Sequence, residues 1–286
     1  MKSLPGLDST KDNYCVIGNP IAHSLSPRIH TLFAEQFDYA ISYQAVQVER
    51  DEFAEFVQAF FAAGGKGCNV TMPFKEQALA VAGEVTARAQ QAAAANTLWP
   101  DQAGVIQGDS TDAVGLMRDL ADKSIELQDA RVLIAGAGGV VKSVIHPLLA
   151  AGPTDISIAN RTVSRAEAIV ADVGGKLSAC AYDALAGKQF DLVFNAVSSG
   201  LSGGEVLLPD HILADGAVCY DMAYGTAARP FLQWAQRNAA GRALDGLGML
   251  VQQAAESCHI WRGVRPDTDS VLQALQRIHD VGQPGD

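Results

Sequence analysis

No stretch of this chain approaches the run of about 18 apolar residues that a membrane-spanning helix needs. The segment 1–13 is polar and has no apolar h-region, so it does not read as a secretory signal. The five cysteines (Cys15, Cys68, Cys180, Cys219 and Cys258) are scattered, with no CxxC spacing. That argues against both a disulfide framework and a structural zinc site, and it fits reduced thiols in a reducing compartment. The six histidines also lack ligand spacing, so no metal is expected. Basic residues are in deficit, with 21 Lys and Arg against 32 Asp and Glu and a net charge of −11. An acidic surface of this kind excludes non-specific binding to nucleic acid or anionic membranes. It still permits a locally basic site for an anionic small molecule. These absences together point to a cytoplasmic protein.

What is present is the material for packed cores: 48% hydrophobic against 19% charged residues. At about 100–200 residues per domain, a chain of 286 residues reads as two domains. Short β-rich runs alternate with longer helical patterns, which predicts an α/β fold with parallel sheets of βαβ units. Phe53, Phe56, Val57 and Phe60 recur at helical spacing and predict a core-facing stripe. The order of elements places a boundary near residue 112, and beyond residue 246 the pattern is helical to the end.

Gly136-Ala137-Gly138-Gly139 lies where an apolar strand run (130–135) should give way to a helix. Glycines at such a turn let backbone N–H groups approach a pyrophosphate, and the helix N-terminus adds positive potential. The GxGxxG pattern is incomplete, because Val141 stands at its last position. About 20 residues on, an NAD site would place a carboxylate for the ribose 2′-hydroxyl. Here the second strand ends in Asn160-Arg161-Thr162, with Arg165 one turn later. Guanidinium groups and a hydroxyl suit a 2′-phosphate, so the pattern favours NADP over NAD.

The first half holds three polar groups that are ordinary singly. Ser24 and Ser26 precede a helix and could cap it. Thr71 and Lys75 lie where a strand meets a helix. Asp112 could be only a helix N-cap. Their joint occurrence is informative. The stretches GNPIAHSLSP (18–27), GGKGCNVTMPFKE (64–76), ANT (95–97), GDSTD (108–112), GAGG (136–139), NRTVSRAE (160–167), NAVSSGL (195–201), YDMAYG (220–225) and DGLGMLVQQAA (245–255) follow one another in an order that resembles the shikimate dehydrogenase family. The likeness spans about residues 14 to 266.

The resemblance implies an N-terminal α/β substrate domain, a Rossmann-like NADP domain, and C-terminal helices that return to the first. The expected domains are therefore 1–111 with 246–286, and 112–245. By resemblance, Ser24 and Ser26 hold the substrate carboxylate, with Thr71 and Tyr224 nearby, and Lys75, Asn96, Asp112 and Gln253 contact ring hydroxyls. Gly136, Ala137, Gly138 and Gly139 form the phosphate loop. Asn160, Arg161, Thr162 and Arg165 form the adenosine-phosphate site, and Met222 and Gly246 flank the nicotinamide. The implied reaction is the reversible NADPH-dependent reduction of 3-dehydroshikimate to shikimate, in the biosynthesis of aromatic amino acids. Lys75 and Asp112 would be the proton-handling pair, drawn from opposite sides of the domain boundary, and sequence does not decide which of them carries the proton.

The chain departs from the family pattern in four places: Ser110, Ala113, Val197 and the run Val140-Val141-Lys142-Ser143. They leave open a paralogue acting on quinate or aminoshikimate. A non-catalytic binding protein on the same fold is the remaining alternative, since fold alone does not fix function. The resemblance is compatible with a monomer or a homodimer.

Overall fold

A computed structural model of the chain describes residues 6–197 and 206–281. Residues 198–201 of the NAVSSGL stretch and the His279 side chain lie outside the described residues. The chain divides into two compact units, Met1–Gly115 with Val251–Asp286, and Leu116–Leu250.

The first unit is built on six strands: β1 (Asp12–Gly18), β2 (Ile41–Gln47), β3 (Gly67–Val70), β4 (Glu84–Val85), β5 (Thr97–Pro100) and β6 (Ile106–Asp109). Their order is β2-β1-β3-β5-β6-β4. Helices α1 (Ser26–Glu35), α2 (Phe53–Ala62), α3 (Lys75–Val81) and α4 (Ala87–Ala92) connect them. Strand alternation explains the two faces. Cys15 and Ile17 of β1 point into one core cluster, and Tyr14 and Val16 into another. The α2 stripe of Phe53, Phe56, Val57 and Phe60 fills the first cluster. Each such side chain contributes about 1.5–3 kcal/mol by leaving water.

The second unit contains β7 (Arg131–Ala135), β8 (Asp155–Ala159), β9 (Leu177–Cys180), β10 (Phe190–Asn195), β11 (Leu213–Asp221) and β12 (Arg242–Leu244). Every strand pairs in parallel, in the order β12-β11-β10-β7-β8-β9. Helices α6 (Gly139–Ala150), α7 (Val163–Val173) and α8 (Arg229–Arg237) lie between strands in sequence. This is the doubly wound dinucleotide-binding order, whose direction reverses between β7 and β10.

Three expectations change. The first sheet is mixed rather than parallel, because β5 runs antiparallel to β3 and to β6 through a short turn. Strands β4, β9 and β12 carried no periodic signal. Each is short and at a sheet edge, where half-solvated residues need no apolar alternation. The expected boundaries also move, from 111/112 to 115/116 and from 245/246 to 250/251. Both divisions fall inside unbroken helices, α5 (Asp112–Asp122) and α9 (Leu247–Arg262), so composition cannot mark them. The last helix is α10 (Thr268–Val281).

Candidate active site and nucleotide site

In the first unit, the carboxyl ends of parallel strands β1 and β3 are adjacent, with Ile17 opposite Val70. Their loops touch at Gly18, where a Cβ would lie 2.6 Å from Thr71 Cγ2 and 2.7 Å from Ile21 Cδ1. This contact places the serine loop beside the Thr71–Lys75 loop. Leu25, not a serine, occupies the N-cap position of α1 and makes no side-chain cap bond. Ser26 N–H instead donates to Ser24 Oγ at 3.3 Å.

Lys75 begins α3 and Asp112 begins α5. An anion suits a helix N-terminus and a cation does not, so Lys75 needs a compensating charge. Lys75 Nζ donates to Asp112 Oδ2 at 2.5 Å, with side-chain exposures of 25% and 8%. Both residues therefore belong to the first unit, rather than facing each other across a domain boundary. The other carboxylate oxygen is also engaged, because Asn96 Nδ2 donates to Asp112 Oδ1 at 3.0 Å. The Asn96 amide is oriented by Thr111, whose backbone N–H donates to Asn96 Oδ1 at 2.8 Å. Gln253 Oε1 accepts from Asn96 Nδ2 at 3.3 Å and from the Thr111 hydroxyl at 3.2 Å.

Behind this cluster lies a buried polar chain that sequence reasoning did not assign. Tyr43 Oη donates to Asn69 Oδ1 at 2.7 Å, and Asn69 Nδ2 donates to Ser257 Oγ at 2.9 Å. The Thr97 hydroxyl is 2.8 Å from Ser257 Oγ and donates to Asn96 Oδ1 at 3.1 Å. Burial pushes the Tyr43 phenol well above its usual range, against an opposing pull from the Ser26 hydroxyl. The available signal was Asn69 itself, a polar residue in a strand buried along its whole length, which must find partners.

In the second unit the glycine loop joins β7 to α6. Gly136 takes φ +110°, and a Cβ there would lie 2.9 Å from Ala196 O, so only glycine fits. Gly138 is the N-cap of α6 and supplies no side-chain acceptor, and among the described residues nothing crowds Gly138 or Gly139. Ala137 is half-buried beside them. Val141 is fully buried and Val197 lies beside Gly136, so both departures are absorbed by packing. Ser110 and Ala113 are buried as well. At the end of β8, Asn160 Nδ2 donates to Thr162 O at 2.8 Å and shapes the turn. Arg161, Thr162 and Arg165 are exposed, and neither arginine joins an ion pair among the described residues. Met222 and Tyr224 follow β11, half-buried, and Gly246 N–H donates to Ala223 O at 2.8 Å. Tyr224 belongs to the second unit. Among the described residues, no group of three His, Cys, Asp or Glu side chains could hold a metal.

The glycines divide by what surrounds them. A Cβ on Gly246 would lie 2.5 Å from Met222 O, which is backbone and cannot swing away. Gly246→Ala is expected to cost about 1–3 kcal/mol and to lower Tm by several degrees in a thermal melt. Gly138→Ala meets no atom within 4 Å and should leave Tm nearly unchanged. Equal melting shifts for the two variants would refute this reading of the packing.

Three family models match the chain in sequence order. They are the shikimate dehydrogenase substrate binding domain at residues 16–98, shikimate / quinate 5-dehydrogenase at 119–202, and the shikimate 5'-dehydrogenase C-terminal domain at 246–276. The shikimate dehydrogenase (NADP(+)) of Alkalilimnicola ehrlichii is 52% identical over 93% of this chain and 98% of its own. That of Alcanivorax borkumensis is 49% identical over 92% and 96%. Among solved structures, an Ael1 enzyme from Pseudomonas putida superposes with a TM-score of 0.87 at 42% identity, covering 93% of this chain and 98% of that one. Shikimate 5-dehydrogenase from Thermus thermophilus, solved with NADP(H) and shikimate, gives 0.80 at 28% identity over 93% and 99%. With relatives 52% and 49% identical over nearly its whole length, the chain belongs to the shikimate dehydrogenase family.

Proposed function

We propose that the protein is an NADP-dependent shikimate dehydrogenase that reduces 3-dehydroshikimate to shikimate, reversibly, with Lys75 and Asp112 as its proton-handling pair. The observation that carries the reading is the Lys75–Asp112 contact, in which both carboxylate oxygens are engaged as acceptors. An acceptor-only Asp112 is an ionised one. In the proposed chemistry the mobile proton of the pair is the one carried by Lys75. In the reductive direction Lys75 gives a proton to the oxygen of the reacting carbonyl, and in the oxidative direction it takes one back. Its positive charge also favours alkoxide character on that oxygen.

The residues of the second unit fit a dinucleotide phosphate. Among the described residues, the α6 N-terminus has no side-chain cap, its glycines face open space, and the arginines at the end of β8 have no partner carboxylate. Gly136, Ala137, Gly138 and Gly139 would hold the pyrophosphate. Asn160, Arg161, Thr162 and Arg165 would hold the 2′-phosphate end, and Met222 and Gly246 would flank the nicotinamide. NADP, when bound, supplies or accepts the hydride. Ser24 and Ser26 would hold the substrate carboxylate with Thr71 nearby, Asn96 and Gln253 would contact the ring hydroxyls with Lys75 and Asp112, and Tyr224 is a further substrate-binding candidate. The substrate domain is the unit of Met1–Gly115 with Val251–Asp286, and the cofactor domain is Leu116–Leu250. The protein works on small molecules in the cytoplasm, as a monomer or a homodimer, without nucleic acid or membrane partners. The net charge of −11 speaks against non-specific binding to nucleic acid or anionic membranes.

Initial rates followed at 340 nm with shikimate or quinate, each against NADP and NAD, test the proposal. Fast turnover is expected only with shikimate and NADP. A preference for quinate or NAD would overturn the substrate or cofactor assignment. Absence of turnover in all four mixtures would favour a binding protein on this fold.

A further inference from the structure

The second unit holds a buried carboxylate with no part in the chemistry above. Asp221 ends β11, is 1% exposed, and lies where a doubly wound sheet binds its ligand, outside the carboxyl ends of the strands. In the order β12-β11-β10-β7-β8-β9 the glycine loop and the arginines belong to the β7–β8–β9 half. The β10–β11–β12 half is left for the second mononucleotide, the nicotinamide end.

Asp221 ties the loops of that half together. Its Oδ2 accepts from Asn195 Nδ2 at 2.8 Å, at the end of β10, and its Oδ1 accepts from Ala223 N–H at 2.8 Å. With its amide nitrogen turned to Asp221, Asn195 presents Oδ1 to Val197 N–H at 3.4 Å. Met222 N–H donates to Asn195 O at 2.9 Å, and the Gly246 backbone packs on the Met222 carbonyl. One carboxylate thus fixes the backbone course of 195–197 and 221–223, and through the latter the contact with 246.

We propose that Asp221 is a positioning residue for the nicotinamide end of the cofactor site, acting through the 195–197 and 221–223 loops rather than by touching the cofactor. The inference rests on NADP being the cofactor. It carries a pH signature. Burial pushes the Asp221 carboxyl up to about 6, against opposing hydrogen bonds from Asn195 and Ala223. Asp245, following β12, is the charged group that faces it and adds to the rise, whereas the facing group on β10 is the neutral Asn195. Above pH 6 the ionised carboxylate accepts both bonds. Below it, a proton occupies one oxygen and a loop tie is lost.

The test compares intact NADP with 2′-phospho-ADP-ribose, which lacks the nicotinamide, by calorimetric titration of the full chain. Titration of the shared 2′-phosphate cancels in the ratio of the two affinities. Asp221→Asn keeps the shape but turns one acceptor into a donor. The variant should bind NADP about tenfold more weakly, the equivalent of one charge-assisted hydrogen bond, and the fragment unchanged. For the wild type the ratio should fall as pH drops through about 6. For the variant it should stay low and flat. Equal weakening of both ligands would mark a merely structural residue and overturn the proposal, as would a wild-type ratio at pH 8 in the variant or a retained acid limb. A wild-type protein that bound neither ligand would instead overturn the cofactor reading itself.

Discussion

Lys75→Ala is expected to lower kcat by about 10²–10⁴-fold while leaving KM for shikimate nearly unchanged. The split follows from what the side chain does. On the proposed assignment Lys75 would act on the oxygen whose charge changes during hydride transfer, so its loss would weaken the transition state far more than the bound ground state. On the same assignment much of the binding would come from groups the substitution does not touch, such as Ser24, Ser26, Asn96 and Gln253. Asp112 keeps its bond from Asn96, so the carboxylate retains one partner and its place on α5. Lys75→Arg sharpens the test. A guanidinium keeps the positive charge and the hydrogen-bond donors but does not release its proton in this pH range. If Lys75 transfers a proton, the arginine variant should be nearly as slow as the alanine variant. If it acts only by charge, much of kcat should return. An alanine variant with unchanged kcat would remove Lys75 from the chemistry altogether. Steady-state rates for both variants against both substrates decide among these outcomes.

Which parts of this arrangement could be seen in the sequence depends on how local their causes are. The α2 stripe was legible because one helix face must be apolar wherever it meets a sheet, and Phe53, Phe56, Val57 and Phe60 occupy that face. Strand β7 was legible for a similar reason, since a strand buried on both faces carries a continuous apolar run, here Val132 to Ala135. Strands β4, β9 and β12 were not, because pairing at a sheet edge is decided by the neighbouring strand and leaves little mark on the edge residues. Lys75 and Asp112 are each unremarkable singly, and only their company with the other stretches marked them out. That both sit in one unit was invisible, because it depends on where the first turn of α5 finds its partners. Asn69, Thr97 and Ser257 were missed for the same reason. They are far apart in sequence and are brought together by β3, β5 and α9.

Arg161→Ala combined with Arg165→Ala should raise KM for NADP about tenfold to a hundredfold, with turnover using NAD nearly unchanged. Each charge-assisted hydrogen bond to a phosphate is worth about 1.5–3 kcal/mol, and because both arginines would serve one phosphate their effects should not simply add. The structure makes the double variant a clean experiment. Both side chains are exposed, and neither holds an ion pair among the described residues, so their removal leaves no buried charge uncompensated. The turn itself is shaped by Asn160, whose side-chain amide donates to Thr162 O, and that bond survives both substitutions. NAD lacks the 2′-phosphate, so it reports on everything else in the site. Salt supplies a second check. Exposed cations are screened over about 8–10 Å at ordinary ionic strength, so the advantage of NADP over NAD should shrink as salt rises in the wild type and respond little in the variant. A variant that loses NADP and NAD activity in equal measure would show that the arginines support the turn rather than read the phosphate, and the choice of cofactor would then have to lie elsewhere in the β7–β8–β9 half of the sheet.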